Sequence, residues 1–201
     1  MTTAQLVRAL AADVPADSEH ILDAALDLAA ASGLRNLTME DVARGAGVGR
    51  MTVYRRFGTR DALVDALTAR EMRRCLAELD GASSADAPIE EQVAAGFATA
   101  IRLSREHPLL SRLARVEPDT VLGAFNADGG ALLQACAKFL GMRLRASQAA
   151  GVLAADARIE ELSELCVRVA VSFVLLPESA LDLDDPELGR RLLGPLMRHT
   201  A

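Results

Sequence analysis

Apolar residues recur at helical spacing along most of the chain, and glycines end the first of these segments. The clearest segment follows Ser18 and stops at Gly33, and its apolar members are Ile21, Leu22, Ala25, Leu26, Leu28 and Ala29. Only 3% of the residues are aromatic and there is no Trp, whereas Ala, Leu, Arg and Glu are frequent, which is typical of helices rather than strands. The sequence therefore predicts an all-α fold.

Two short helices separated by a glycine turn are predicted after this first helix. Thr38 begins a T-x-x-D capping pattern, and the apolar face that follows it stops at Gly47. The second short helix covers residues 50–56 and buries Val53 and Phe57, which are four residues apart. Two short helices joined in this way predict a helix-turn-helix.

The chain is predicted to have three parts. Residues 1–17 are Ala-rich and lack strong helix caps, which indicates a loosely ordered N-terminal arm. The three-helix domain that contains the helix-turn-helix covers residues 18–64. Residues 65–201 contain further helical patterns, separated by loops such as the Ser-, Ala- and Asp-rich stretch at 81–88, and predict a helical bundle.

Charge is distributed unevenly along the chain. The formal net charge is −6, which by itself argues against a polyanionic partner. Between Arg35 and Arg60, however, six arginines accompany only Glu40 and Asp41, a local net charge of +4 that leaves −10 for the remainder. One short basic segment in an acidic chain favours DNA binding at that segment alone.

The cysteines and the apolar runs indicate the cellular environment of the protein. Cys75, Cys136 and Cys166 lie far apart without C-x-x-C pairing, so neither a disulfide framework nor a metal site is predicted. The most apolar run, at 169–176, is too short to cross a bilayer, and the first residues lack the apolar core of a signal peptide. We expect a soluble cytoplasmic protein with no membrane partner.

Residues 38–63 resemble the signature of the tetracycline-repressor-like (TetR/AcrR) family. They comprise a Thr-capped helix, an Ala-Gly-Val turn, a short recognition helix that ends in Tyr-x-x-Phe, and a basic residue before a leucine. The chain departs from the family pattern at Gly49, where Ser is common, and at Met51, where a small residue is usual. These departures leave the individual base contacts open.

The resemblance implies a dimeric transcriptional regulator, usually a repressor. Residues 65–201 would then be a ligand-binding and dimerisation domain that takes a small-molecule effector. Effector binding would alter the separation of the two recognition helices, which must fit successive major grooves of a near-palindromic operator about 34 Å apart. Affinity for the operator would then fall.

Helical geometry predicts which side chains of the second short helix face the bases. With Val53 and Phe57 directed inward, Met51, Thr52 and Arg55 lie on the opposite face. Arg55 can donate two hydrogen bonds to a guanine, Thr52 can reach a base or a phosphate, and Met51 can contact a thymine methyl group.

Phosphate contacts are predicted for the side chains around this face. Arg50, Tyr54 and Arg56 flank it, and the family resemblance implies that Thr38, Tyr54 and Arg60 hold the DNA backbone. Each of the latter three also has a structural alternative, as a helix cap, as cover for the core edge and as a solvated charge, respectively. The helix-turn-helix as a whole can also serve only as a packing unit.

Polar side chains among apolar neighbours in the later helices are candidates for a ligand pocket. They are Arg102, His107, Gln134, Cys136 and Arg143. Each has a structural alternative, because a histidine before a proline can end a helix, arginines can lie on solvated faces and cysteines can fill the core. The scarcity of aromatic residues favours an apolar or amphipathic effector.

The last two predicted helices, at 157–176 and 186–198, are more apolar than one buried face requires. Apolar residues of the first wrap more than half of its circumference, which indicates contact with a partner subunit. The predicted homodimer interface consists of Leu162, Cys166, Val169, Phe173, Leu192 and Leu196.

Catalysis is not predicted. The sequence has no G-x-S-x-G elbow, no H-E-x-x-H motif and no complete Walker loop, and His20, His107 and His199 are too scattered to suggest a shared metal. We therefore expect no enzyme activity and no cofactor. The remaining alternative is a helical dimer that binds a small molecule or a protein and has lost DNA binding.

Overall fold

The computed structural model describes residues 18–84, 86–126, 130–176 and 178–198, so the predicted arm at 1–17 lies outside the described residues. The described residues form α-helices and no strand, as the sequence predicts. The helices are α1 (Glu19–Ser32), α2 (Met39–Gly45), α3 (Arg50–Phe57), α4 (Arg60–Asp80), α5 (Ile89–Glu106), α6 (Pro108–Val116), α7 (Pro118–Asn126), α8 (Ala131–Ala149), α9 (Ile159–Leu175) and α10 (Leu188–Arg198), and a 3₁₀ turn covers Leu34–Asn36.

The ends of α1 lie where the sequence predicts them. Gly33 has a φ of +89°, which L side chains rarely adopt, and its N–H donates to the carbonyl of Ala29 at 2.9 Å. A side chain at this position would also clash with the carboxylate of Glu117. Ser18 precedes the helix and is buried, but its hydroxyl makes no capping hydrogen bond. The predicted Ser18 cap is therefore not formed.

Helices α2 and α3 form the predicted helix-turn-helix. Thr38 caps α2, because its Oγ1 accepts a hydrogen bond from the Asp41 N–H at 3.1 Å. Gly47 lies in the turn between the helices with a φ of +66°, a conformation that favours glycine. A small core stabilises this arrangement, and its fully buried members include Ile21, Leu22, Ala25, Val42, Val53, Leu63 and Leu67.

The chain divides into two compact units. The N-terminal unit extends to Leu76 and also includes Glu106–Glu117, and the C-terminal unit comprises Ala77–Arg105 and Pro118–Ala201. The sequence predicts a boundary after residue 64, and the two compact units divide twelve residues later, after Leu76, within the same helix α4. The sequence also does not predict that a later helix returns to the first unit.

That returning helix is α6. It packs on α1, and its residues Leu109 and Leu113 are buried. The helix begins at Pro108, in the position where its missing N–H leaves no donor unsatisfied. Its burial explains why residues 106–117 belong to the N-terminal unit although 29 residues of the other unit precede them in the chain.

A buried arginine joins α1 to α4. Arg70 is 3% exposed, and its guanidinium donates to the carboxylates of Glu71 at 2.6 Å, Asp23 at 2.8 Å and Glu19 at 3.1 Å. It also donates to the carbonyl of Leu22 at 3.2 Å. A buried charge is tolerated only when it is paired and hydrogen-bonded, and these four partners meet that condition.

Glu71 extends this network to α6. Its Oε2 lies 3.1 Å from Nε2 of His107, and Nδ1 of the same ring accepts a hydrogen bond from the Leu110 N–H. Because Nδ1 accepts, Nε2 carries the proton and donates to Glu71. Burial raises the pKa of Glu71, but the hydrogen bonds from His107 and Arg70 and the charges of Arg70 and Arg74 outweigh burial, so its pKa lies below the ordinary 4.5.

The C-terminal unit has its own apolar core. Its buried members include Ile89, Val93, Phe97, Ile101, Leu144, Leu153, Ile159, Leu162, Cys166, Leu188, Leu193 and Met197. The rings of Phe97 and Phe173 meet edge to face at 5.6 Å. Helices α8 and α9 approach closely at Gly141, where a Cβ would lie 3.1 Å from Oγ of Ser163. No helix in the described part of the chain is long and apolar enough to cross a membrane.

The substitution Glu71→Gln tests the buried network. We expect it to lower the free energy of unfolding by about 2 kcal/mol at neutral pH, because Arg70 and His107 lose a charged partner that burial prevents water from replacing. Urea unfolding followed by circular dichroism measures the change. Glu78→Gln is the matched control, because Glu78 pairs with Arg102 at an exposed site, where we expect a change below about 0.5 kcal/mol.

The same comparison has a pH dependence. Because the pKa of Glu71 in the folded chain lies below 4.5, its stabilisation is fully present above that value and is lost as the pH falls through the folded-state pKa. The difference in unfolding free energy between the wild type and Glu71→Gln should therefore shrink when urea unfolding is repeated below about pH 4. A difference that stays constant across this range would contradict the assignment.

Candidate nucleic-acid interface

Helix α3 has one buried face and one exposed face. Val53 is fully buried and Phe57 is half-buried, whereas Met51 is 76% exposed. Arg55 is also exposed, and Thr52 is partly exposed. The three side chains that the sequence predicts for base contacts therefore lie away from the core, at the positions that helical geometry requires.

Arg50, Tyr54 and Glu40 form a cluster beside this face. Nη1 of Arg50 donates to Oε1 of Glu40 at 3.2 Å, and Nη2 donates to the Tyr54 hydroxyl at 3.4 Å. The Arg50 guanidinium carbon lies 5.3 Å from the centroid of the Tyr54 ring. The hydrogen bond with Tyr54 and then the charge of Glu40 raise the pKa of Arg50. Arg50 and Tyr54 are predicted from the sequence, whereas Glu40, which lies on another helix, is not.

Thr38 has the structural role that the sequence left open. Besides capping α2, its hydroxyl donates to Oδ2 of Asp41 at 2.6 Å. This hydrogen bond, followed by the charge of Arg44, lowers the pKa of Asp41. Thr38 remains exposed, and its contact with the DNA backbone stays a prediction.

Arg60 is an anchor inside its unit. Its Nε donates to the carbonyl of Leu37 at 2.9 Å, and its Nη2 donates to the carbonyls of Leu34 at 2.6 Å and Arg35 at 3.2 Å. Nη1 pairs with Asp61 at 3.0 Å. The alternative of a solvated charge is therefore wrong for Arg60. Sequence spacing offers no signal for this role, because the carbonyls lie 23 to 26 residues earlier.

The structure gives two of the predicted pocket residues other partners. Arg102 donates to Glu78 at 2.6 Å at an exposed site. Arg143 donates to the carboxylate of Asp80 at 2.6 Å and to the Asp80 carbonyl at 2.7 Å. Both arginines connect neighbouring segments of the C-terminal unit; Arg102 is exposed, whereas the Arg143 side chain is only 20% exposed.

The other three predicted pocket residues have different surroundings. His107 caps α6 and donates to Glu71, as described above. Burial raises the pKa of the Cys136 thiol to about 11, so the thiol is protonated at neutral pH. Gln134 is exposed and borders a groove between α8 and α9 with a cavity volume of about 320 Å³. Leu133, Ile159 and Lys138 also line this groove. The five predicted residues are not assembled into one site.

Some of the predicted dimer residues are buried within the C-terminal unit, and others are partly buried or exposed to solvent. Leu162 and Cys166 are buried in the core of the C-terminal unit, so they have no surface left for a second subunit. Val169, Phe173 and Leu196 are partly buried against that core, and Leu192 is 36% exposed. Two further exposed apolar residues of the same region, Leu165 and Leu176, lie outside the predicted interface set.

Replacement of Arg60 by Lys or by Ala distinguishes an anchor from a simple charge. We expect both variants to lose about 1–2 kcal/mol of unfolding free energy, because a lysine ammonium cannot reach three carbonyls that a guanidinium spans. Thermal and urea unfolding measure the loss, and Arg158→Ala, at an exposed site in the other unit, provides the control. Wild-type stability in Arg60→Lys would show that only the charge matters.

Two family patterns match the chain in succession. The family described as "Bacterial regulatory proteins, tetR family" matches residues 21–67. The family described as "Bacterial Tetracyclin repressor, C-terminal domain" matches residues 89–189, which is half of the chain. The first match includes α2, the turn and α3, and the second includes most of the C-terminal unit.

Similarity to individual proteins supports these family matches. The chain is 28% identical to the HTH-type transcriptional regulator AlkX of Mycobacterium tuberculosis over 164 residues, which cover 81% of this chain and 76% of AlkX. The solved structures that share its fold include two TetR-family proteins. One is the TetR-family repressor AlkX of Dietzia sp., with a TM-score of 0.60, 24% identity and coverage of 90% and 93% of the two chains. The other is the TetR-family regulator HI0893 of Haemophilus influenzae, with a TM-score of 0.59, 23% identity and coverage of 90% and 94%. The chain belongs to the TetR family of helix-turn-helix transcriptional regulators.

Proposed function

We propose that this protein is a sequence-specific repressor that binds a near-palindromic operator as a homodimer and is released by a small-molecule effector. The observation that carries the proposal is the exposed face of α3, where Met51 and Arg55 point away from a core that holds Val53. A helix of this kind fits the major groove, which displays a distinct pattern for each base pair.

The residues of this face have separate roles in the proposal. Arg55 reads a guanine, Met51 contacts a thymine methyl group and Thr52 reaches a base or a phosphate. Phosphate contacts are assigned to Arg56, which is exposed on α3, and to the cluster of Arg50 and Tyr54. Thr38, the exposed N-cap of α2, adds a further phosphate contact.

The charge distribution supports DNA contact at the same segment of the chain. The segment from Arg35 to Arg60 has a net charge of +4, and the remainder has −10. A polyanion is therefore attracted to this segment and repelled elsewhere. Such a protein acts where the chromosome is accessible, so we place it in the bacterial cytoplasm.

The dimer is assigned to α9 and α10. Val169, Phe173, Leu192 and Leu196 remain from the predicted interface, and the exposed Leu165 extends it. Two recognition helices held in this way must lie about 34 Å apart to enter successive major grooves. An effector bound in the C-terminal unit can act on them through α4, since this helix runs from one unit into the other.

The effector is proposed to be apolar or amphipathic. The C-terminal unit contains mainly aliphatic side chains in its described core, with few aromatic rings. The Dietzia AlkX repressor, which shares the fold, is implicated in biodegradation of n-alkanes. Aliphatic hydrocarbons and their oxidised derivatives are therefore the first compounds to test for operator release.

Selection from a pool of random-sequence duplexes tests the DNA-binding function. The full-length protein is incubated with the pool at about 0.15 M salt, where screening suppresses non-specific recovery. We expect repeated rounds to enrich an inverted repeat whose half-sites are one helical turn apart. Enrichment of no sequence would overturn the proposal and favour a helical dimer without operator binding.

The substitution Arg55→Ala tests base readout. We expect affinity for the selected duplex to fall by about 10- to 100-fold, with relaxed preference at one guanine position, because a bidentate arginine–guanine contact is lost. Fluorescence anisotropy measures the affinity. Arg158→Ala removes the same charge from an exposed site in the C-terminal unit and should leave affinity within about twofold. Equal losses in the two variants would mean that Arg55 contributes only charge.

The substitution Leu192→Glu tests the interface. A buried carboxylate at the proposed contact should weaken dimerisation by at least about tenfold, and affinity for the selected duplex should fall because each half-site is then bound separately. Light scattering at micromolar concentration measures the mass. Leu122→Glu, at an exposed leucine of α7 outside the proposed interface, is the control, and a dimer that tolerates Leu192→Glu would refute the assignment.

A further inference from the structure

The described part of the chain has two strongly exposed methionine side chains. Met51 on α3 is 76% exposed and Met142 on α8 is 62% exposed, whereas Met39 and Met197 are buried in the cores of their units. Met72 is partly buried. A dissolved oxidant reaches a thioether sulfur most readily where solvent does, so Met51 and Met142 are the methionines most open to oxidation.

The cysteines offer little competition for such an oxidant. Cys75 and Cys166 are buried, and burial raises the pKa of the Cys136 and Cys166 thiols to about 11. Peroxides react with the thiolate rather than with the protonated thiol, so these groups react slowly at neutral pH. An oxidant that a reactive thiol would intercept is therefore left for the exposed thioethers.

Met51 differs from Met142 in what surrounds it. It lies on the exposed face of α3, next to Thr52 in the sequence and one helical turn before Arg55. In the proposed function its side chain contacts a thymine methyl group, a contact that requires an apolar side chain. Met142 belongs to α8 in the C-terminal unit and has no role in DNA contact.

We propose that Met51 is an oxidative modification site through which peroxides weaken operator binding. The inference rests on the proposed function. One oxygen atom passes from hydrogen peroxide to Sδ of Met51. The O–O bond breaks, an S–O bond forms and water leaves, so the sulfur loses two electrons and the peroxide gains them. The product is methionine sulfoxide, which is polar and chiral.

The sulfoxide changes the base contact and leaves the charge of the protein as it was. Its oxygen accepts hydrogen bonds from water, and a thymine methyl group has no donor that could replace them when the two groups come into contact. Attraction between the basic segment and the phosphates is unaffected, because the sulfoxide is neutral. Oxidation should therefore weaken binding to the operator and spare binding to non-matching DNA.

Treatment of the full-length protein with hydrogen peroxide tests the proposal. Fluorescence anisotropy measures affinity for the duplex obtained by selection and for a random-sequence duplex, and peptide mass spectrometry measures oxidation at each methionine. We expect affinity for the selected duplex to fall about tenfold, because each subunit of the dimer carries a sulfoxide. Affinity for the random duplex should change by less than about twofold. Methionine sulfoxide reductases should restore the original affinity.

Two matched variants separate Met51 from other sites of oxidation. Met51→Leu removes the sulfur and keeps an apolar side chain of similar volume, so its affinity for the selected duplex should be the same before and after treatment. Met142→Leu removes the other exposed sulfur and should remain as sensitive to peroxide as the wild type. Bound selected duplex should also slow the oxidation of Met51 and leave that of Met142 unchanged.

The outcomes distinguish failure of this inference from failure of the proposed function. Affinity for the selected duplex that survives complete oxidation of Met51 overturns the inference, and so does an equal loss in Met51→Leu. Equal oxidation of Met51 with and without bound duplex also overturns it, because the side chain would then lie outside the contact. If the untreated wild type selects no sequence, the proposed function fails with it.

Discussion

Burial of Val53 determines the rotation of α3, and the exposed face that we propose for DNA contact depends on that rotation. A fully buried valine contributes about 1.5–3 kcal/mol of transfer free energy, but its geometric consequence is more important. Because successive residues are 100° apart, an inward Val53 sends Met51 and Arg55 outward. Packing within the core of the N-terminal unit holds this orientation.

The arginines of the N-terminal unit perform different physical tasks. Arg70 is buried among carboxylates, Arg60 anchors the turn that precedes α2, and Arg50 is held by Glu40. Arg55 is exposed on the outer face of α3. A net charge of +4 for the basic segment thus does not describe how much positive charge DNA encounters, since several guanidinium groups already have partners.

The predictions from local pattern agree best with the structure. The glycine at the end of α1 and the Thr38 cap depend on interactions within about four residues, the inward Val53 follows from helical periodicity, and each is found. Expectations that involve distant residues agree less well. The Arg60 carbonyl partners lie more than 20 residues away, and α6 joins a unit from which the sequence had separated it. The dimer prediction also loses Leu162 and Cys166 to the core of their own unit.

The sequence by itself determined the helical class, the position of the helix-turn-helix and the family to which the chain belongs, because these follow from short-range periodicity, caps and turns. Only the tertiary structure decided which charged side chains remain available and which apolar faces are already covered. The physical reason is that a side chain's environment depends on elements that packing brings together from distant parts of the chain. The pairing of Glu40 with Arg50, across ten residues and two helices, is decided at that level.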